Sequence, residues 1–150
     1  MPDLWYIYIL PCLCSFTACV GLTLVFNIHG VGRLICGVGG ALGWLIYLLA
    51  GSSILAAFLA SAAIGLYAEA MARLRRCPVT GYLLVALLPL VPGGGIYFAM
   101  SYCVAGDIQR FLDTLLHTFG MAAALAVGAM MTSSLFRAAY PYLHRTKPGA

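Results

Sequence analysis

The groups best placed to do chemistry in this sequence are backbone donors. They lie in the stretch LLPLVPGGGIYFAM, residues 87–100, which is apolar enough for a membrane yet contains Pro89, Pro92 and three consecutive glycines. Proline removes a backbone N–H, and glycine is a poor helix former. Lipid offers no partner to the backbone groups that such a break leaves free. The break must therefore be buried in protein or line a watery cavity.

A helix broken in this way can bind an anion. The second half-helix is predicted to begin at Gly93–Gly95, where its free N–H groups and positive dipole end would face an anionic group. Glycines leave room for a carboxylate to approach the backbone, and the Tyr97 hydroxyl lies one turn further on. We therefore predict a substrate-binding site that contains Pro89, Pro92, Gly93, Gly94, Gly95 and Tyr97. The alternative is a proline kink that serves packing only.

One carboxylate falls inside an apolar segment. Glu69 lies about one turn inside the end of the third segment, and a carboxylate at such a position is costly enough to be a functional candidate by default. It could couple or gate transport by carrying a proton. Arg73 follows at i+4 in the favourable order for a helical ion pair. A structural Glu69–Arg73 pair is therefore the alternative.

A second group of charges lies in GDIQRFLD and just after it. Asp107, Arg110 and Asp113 are spaced by three residues, and His117 follows one turn later on the same helical face. These side chains could form a gate or a proton relay. The alternative is a solvated helix start that Asp107 caps. Asn27, at the end of the first apolar segment, is a further candidate for the substrate path, with helix capping as its alternative.

Composition places the chain in a membrane. Of its 150 residues 63% are hydrophobic and 8% charged, against about 45–50% and about 25% in soluble domains. We predict an all-α integral membrane protein that forms one transmembrane domain over residues 1–150. A helical span needs about 20 apolar residues. The charge-free stretches predict five segments, at about 4–26, 31–50, 53–72, 79–105 and 114–136, followed by a basic tail at 137–150.

Several function classes are not expected. The sequence has no serine–histidine–acid arrangement, no metal-ligand spacing among its six cysteines, and no lysine after GGGIYF to make a phosphate loop. We therefore predict no enzyme activity, no metal and no cofactor. The net charge of +4 is spread over segment ends, without the basic face that nucleic-acid binding needs. Membrane lipid is the expected surrounding.

Small residues recur at four-residue spacing in the apolar segments. Such stripes let helix backbones approach closely in lipid. Packing within the chain is the favoured interpretation, and contact between copies in a homo-oligomer is the alternative. The stripes are Ala57, Ser61 and Gly65; Gly120, Ala124, Gly128 and Thr132; and the pair Gly39 and Gly43.

Four motifs occur in the order seen in a known family: FNIHG, GALGWLIYLL, FLASAAIGLYAE and PLVPGGGIYFAM. Over essentially its whole length the chain resembles the threonine/serine exporter (ThrE-type) family. It is most similar to the small membrane subunit of the two-component YjjB/YjjP-like exporters. The resemblance implies a bacterial inner-membrane secondary exporter of small carboxylate metabolites, such as threonine, serine or the dicarboxylate succinate. It also implies a larger homologous partner subunit. A non-transporting scaffold or assembly subunit is the alternative.

The basic residues predict an orientation, because they concentrate at cytoplasmic segment ends. If all five segments cross, Arg110 faces one side and seven basic residues face the other: Arg33, Arg73, Arg75, Arg76, Arg137, Arg145 and Lys147. We predict an external N-terminus and a cytoplasmic C-terminus. A reporter enzyme that works only in the cytoplasm should be active when fused to the C-terminus, and one that works only in the periplasm should be inactive. Activity only in the periplasm would contradict both the orientation and the full crossing of segment 79–105.

Overall fold

A computed structural model describes residues 5–144, with the side chains of all of these except residues 5, 7 and 139–144. The described residues form helices and no strand, which confirms the all-α class. A π-helical turn, Trp5–Ile9, precedes the first helix, and a 3-10 turn, Leu88–Leu90, follows the fourth. The helices are α1 (Leu10–Val25), α2 (Gly32–Leu49), α3 (Ile54–Arg75), α4 (Val79–Leu87), α5 (Gly93–Val104) and α6 (Ile108–His144). Arg145 and Lys147 lie outside the described residues.

Three of the described helices are long and apolar enough to cross a membrane: α2, α3 and residues Ile108–Ala138 of α6. The helices on either side of the predicted break would make a fourth span if they cross as one bent unit. Helix α1 has 16 residues and is shorter than a typical span. The number of five spans therefore remains a prediction.

The last helix is longer than the predicted segment 114–136. It begins at Ile108 because Asp107 caps it: the Arg110 backbone N–H donates to Asp107 Oδ1 at 3.1 Å. It runs on to His144, with Gly120, Gly128 and Pro141 inside its length. The predicted tail at 137–150 is thus helical as far as His144, and residues 145–150 lie outside the described residues.

The α2–α3 turn defines one end of the bundle, which we call the Ser52 end; the opposite end is the Arg76 end. Gly51 has φ +82° and Ser52 has φ +52°, so the chain reverses in the left-handed region that glycine tolerates best. Ser53 then caps α3, because its Oγ accepts the Ala56 backbone N–H at 3.2 Å. The chain therefore reverses between the predicted segments 31–50 and 53–72.

The small-residue stripes of α3 and α6 face each other. Any Cβ added to Gly128 would strike Ser61, and one added to Gly65 would lie 2.9 Å from Thr132 Cβ. Thr132 Oγ1 also donates to the Ala62 carbonyl across the interface at 3.2 Å. This close approach is packing within the chain, which was the favoured interpretation of these stripes. Helix α2 uses the same device, since Gly39 packs against Tyr67 and Gly43 against Ile64.

These contacts also show how far each helix extends. A Cβ at Gly120 would lie 3.0 Å from Ile54, so the middle of α6 is level with the start of α3. The preceding twelve residues of α6, about 18 Å at 1.5 Å per residue, therefore continue past the Ser52 end. Helix α5 packs on this part of α6, with Gly95 against Thr118. We call residues 93–119 the α5–α6 hairpin.

The buried thiol of Cys19 stabilises the end of α4 from α1. Pro89 has no N–H, so the Val85 carbonyl four residues earlier lacks its helical donor. Cys19, which is fully buried, donates its S–H to this carbonyl at 3.3 Å. An unpaired carbonyl is costly in lipid. The thiol therefore compensates for the first of the two prolines.

This contact predicts a pattern of stability changes. Cys19→Ala should lower the free energy of unfolding by about 1–3 kcal/mol, because it leaves a buried acceptor unpaired, whereas Cys19→Ser keeps a donor and should cost less. Pro89→Ala restores an N–H, so Cys19→Ala should cost less in that background. Thermal unfolding of the purified protein measures each effect, with the exposed Cys14→Ala as control. Equal costs of Cys19→Ala in both backgrounds would show that the thiol only fills space.

Candidate functional site

The chain breaks between Leu90 and Gly93, within the predicted segment 79–105. Val91 is extended, with φ −60° and ψ 124°, and Pro92 has φ −76° and ψ 56°. The two half-helices meet at an angle of 44°. Pro92 cannot donate to Leu88, and the Val91 N–H takes that carbonyl instead at 3.2 Å. The two prolines thus tighten the end of the first half-helix and stop it.

The second half-helix, α5, begins with unpaired donors. The Gly93 N–H bonds to the Val91 carbonyl at 2.7 Å, and the first helical bond runs from the Ile96 N–H to the Pro92 carbonyl at 3.4 Å. No side chain caps this helix. The N–H groups of Gly94 and Gly95 consequently have no partner among the described residues. Two adjacent N–H groups at a helix N-terminus suit one carboxylate.

The three glycines have different surroundings. Gly93 and Gly94 are exposed, and a Cβ on either would meet no atom within 4 Å. Gly95 instead packs on Thr118 of α6, whose Cγ2 would lie 3.1 Å from an added Cβ. None of the three has a positive φ. Glycine is therefore not needed for backbone conformation here: Gly95 serves packing, and Gly93 and Gly94 keep the N-terminus of α5 open.

The break lies near the Ser52 end of the bundle and opens to the outside of the chain. Leu90 packs beside Gly43, two turns before α2 ends. Tyr97 is 70% exposed and stacks edge-on with Phe98 at 5.6 Å. Its hydroxyl makes no hydrogen bond to any described residue. The site predicted at Gly93–Gly95 is thus half of a site, with donors from this chain and no opposite wall.

A pocket of about 300 Å³ lies one turn before the break, beside Pro89. Ser15 of α1 and Trp44 of α2 line it with polar atoms. This pocket was not predicted from the sequence, although a serine and a tryptophan in charge-free segments are polar groups that need partners. Pro89 thus lies beside both α1 and α2.

Glu69 and Arg73 are in contact. Glu69 is 8% exposed, and its Oε2 lies 3.5 Å from Arg73 Nη2. The Arg73 guanidinium also lies over the Phe136 ring, 4.9 Å from its centroid. The ion pair lies within α3, and the cation–π contact joins α3 to α6 at the Arg76 end. This geometry fits a structural Glu69–Arg73 ion pair, the alternative to a coupling role for Glu69.

Among the predicted gating charges at the start of α6, the structure shows contact only between Asp107 and Arg110. Asp107 caps the helix and pairs with Arg110, Oδ2 to Nε at 3.3 Å; the Arg110 side chain is largely exposed and that of Asp107 partly exposed. Asp113 and His117 are exposed and have no hydrogen bond or ion pair to described residues. A solvated helix start accounts for all four residues.

Asn27 lies far from the break. It has φ +55° and ends α1 at the Arg76 end, where the neighbouring Ile28 approaches Gly32. Its carbonyl lies 3.0 Å from His29 Nδ1. Helix α1 separates Asn27 from the Ser52 end by about 24 Å at 1.5 Å per residue. Asn27 and Gly93–Gly95 cannot contact the same small molecule. Among the described residues, no group of three His, Cys, Asp or Glu could hold a metal ion.

Comparison with known families now adds an independent finding. Residues 11–135 match the family model described as Threonine/Serine exporter, ThrE. The chain belongs to the threonine/serine exporter family. The match covers the break, the pocket beside Pro89 and the Glu69–Arg73 pair, so all of these features lie in the family's shared region. No curated protein and no solved structure matches the chain.

The Glu69–Arg73 geometry predicts unequal effects of removing each partner. Arg73→Gln leaves a buried carboxylate without its ion pair and should cost on the order of 3 kcal/mol of unfolding free energy. Glu69→Gln leaves a partly exposed guanidinium and should cost about 1 kcal/mol. Thermal unfolding and the amount of membrane-inserted protein measure this. Asp113→Asn, which neutralises an exposed carboxylate, is the control.

A coupling role for Glu69 gives the opposite result. The Glu69→Gln protein would then accumulate at the wild-type level and unfold at the wild-type temperature. Proton-driven export from vesicles that contain it would be lost. That outcome would contradict the structural interpretation of the pair and identify Glu69 as a proton-carrying group.

Proposed function

We propose that this chain is the membrane subunit of a secondary exporter of small carboxylate metabolites, threonine and serine or succinate-like acids. It works with a larger homologous partner subunit in the bacterial inner membrane, with its N-terminus outside and its C-terminus in the cytoplasm. The uncapped start of α5 binds the carboxylate of the substrate. The observation that carries this proposal is the pair of unpaired N–H groups of Gly94 and Gly95 beside open space at Gly93 and Gly94.

Physical chemistry favours an anion at this position. The break lies between two apolar half-helices, so water has limited access to its donors. A carboxylate accepts two N–H bonds at once and is stabilised by the positive end of the helix dipole. Because the chain has no phosphate loop, we assign the driving force to an ion gradient.

The open side of the site supports a second chain. Gly93, Gly94 and Tyr97 are exposed, and α5 packs mainly on α6. A transporter must enclose its substrate during passage, so another protein has to supply the missing wall. The larger homologous subunit is the partner that we propose, and a second copy of this chain is the alternative. Asp107, Asp113 and His117 remain candidates for gating at the outer side, and Tyr97 for contact with the substrate once the wall is present.

Gly94→Ala tests the carboxylate site directly. The added methyl meets no atom of this chain, so folding should be unchanged, but a bound carboxylate would be pushed from its donors. We expect the half-saturating substrate concentration to rise on the order of 10-fold or more, since a charge-assisted bond is weakened. Counterflow in vesicles that contain this chain and its partner measures the effect. Gly21→Ala, at an equally open glycine of α1, is the matched control.

Pro92→Ala tests the break itself. It restores a backbone N–H and lets the helix close over the donors, so the maximal rate should fall even at saturating substrate. If Gly94→Ala and Pro92→Ala both transport as the wild type does, the break is a packing kink. The scaffold or assembly role would then replace the transport role for this subunit.

A further inference from the structure

A different pocket opens on the side of the bundle, between α4 and α6. Both helices lie beside α3 or its neighbours, but they make little contact with each other. The gap between them has a volume of about 330 Å³. Its lining residues are Leu83 of α4 and Ala129, Met130, Ser133, Ser134 and Arg137 of α6. This pocket shares no residue with the break at 91–95 or with the Glu69–Arg73 pair.

The pocket is polar at one end and apolar at the other. Arg137 belongs to the Arg76 end, because the preceding Phe136 meets Arg73 there. Met130 lies seven residues earlier in α6, about 10 Å nearer the Ser52 end at 1.5 Å per residue. The two serines lie between them. A cation and two hydroxyls at the end of the bundle therefore adjoin an apolar wall that runs towards its middle.

The polar side chains of this pocket are not engaged within the described part of the chain. Arg137 is exposed and makes no ion pair, hydrogen bond or ring contact with a described residue. Ser133 and Ser134 make no hydrogen bond to described residues either, whereas Thr132 of the same helix donates to the Gly128 carbonyl. These three side chains can therefore bind a ligand without breaking a contact of the fold.

The surrounding charge favours an anion. The arginines of the Arg76 end are Arg33, Arg73, Arg75, Arg76 and Arg137. Among the described residues, the carboxylate at this end is Glu69, which is paired with Arg73. The other described carboxylates, Asp107 and Asp113, lie at the start of α6, beyond the opposite end. Positive charge at the pocket is thus left for a ligand to neutralise.

The chemistry of the pocket identifies that ligand. Phosphate oxygens accept hydrogen bonds from both a guanidinium and serine hydroxyls. A free phosphate would use the polar end alone and leave the apolar wall of Leu83, Ala129 and Met130 without a partner. A phospholipid uses both parts, and basic pockets between transmembrane helices are known binding places for anionic head groups.

We propose that this pocket binds one anionic phospholipid. Its phosphate contacts Arg137, Ser133 and Ser134, and one acyl chain lies along Leu83 and Met130, filling the gap between α4 and α6. The inference does not rest on the proposed function, since such a site serves an exporter subunit and a scaffold equally.

Native mass spectrometry of the full-length chain in detergent tests the proposal, by titration with phosphatidylglycerol or phosphatidylethanolamine. The wild type should bind one phosphatidylglycerol on the order of ten-fold more tightly than the zwitterionic lipid, the usual effect of a charge-assisted bond. Arg137→Gln should lose this preference. Arg75→Gln is the matched control, because it removes an equal charge from the same end but does not line the pocket.

A second variant tests the apolar wall with the charge intact. Met130 is 71% exposed, so Met130→Trp should fold normally yet fill the pocket and weaken phosphatidylglycerol binding on the order of ten-fold. Met131→Trp, next to the pocket but outside its lining, should bind as the wild type does.

Three results would overturn the lipid site. Equal loss of binding in Arg75→Gln and Arg137→Gln would show attraction by overall charge alone. Inorganic phosphate that binds as tightly as phosphatidylglycerol would make the ligand a free anion. Lipid-free dimers that Met130→Trp dissociates would make the pocket a contact between copies of the chain.

Discussion

Every backbone donor and acceptor within a membrane must find a partner, and this structure depends on how the chain meets that requirement at Pro89 and Pro92. Each proline removes an N–H and leaves one carbonyl without its helical donor. The Val85 carbonyl is satisfied from another helix by the Cys19 thiol, and the Leu88 carbonyl by the tightened 3-10 turn at Val91. The donors that remain unpaired are those of Gly94 and Gly95. The same two prolines that disturb the end of α4 thus leave the start of α5 open.

Close packing elsewhere offsets the stability that is lost at this break. Lipid is as apolar as leucine, so helices associate here through tight contact and interhelical hydrogen bonds. Gly40 lies against Cys19, Gly43 against Ile64 and Gly128 against Ser61, with backbones near enough that a methyl on any of these glycines would collide with its neighbour. These contacts pack α1, α2, α3 and the second half of α6 closely together. From this packed group, the Cys19 thiol of α1 reaches the Val85 carbonyl of α4.

Much of this architecture could be predicted from sequence because its signals are local. Prolines and glycines located the break at Pro92 and Gly93, and the i, i+4 spacing identified the Glu69–Arg73 pair. What could not be predicted depends on which helices meet. No local signal distinguishes Gly94 from Gly95, yet Thr118 of a later helix packs on one and leaves the other open. The pocket between Ser15 and Trp44 likewise exists only because Pro89 brings a third helix beside them.

The position of the candidate site at the start of α5 has a consequence for assembly. The α5–α6 hairpin continues past the Ser52 end, and it carries exposed aromatic side chains at Tyr97, Phe98 and Phe119. Lipid or another protein must cover these surfaces, because water would not. The donors of Gly94 and Gly95 lie at the base of the hairpin, so a protein that covers this surface also closes the site. A subunit serving only as a scaffold would need the apolar hairpin but not the empty space at Gly93 and Gly94. The proposed carboxylate site makes use of that space at Gly93 and Gly94.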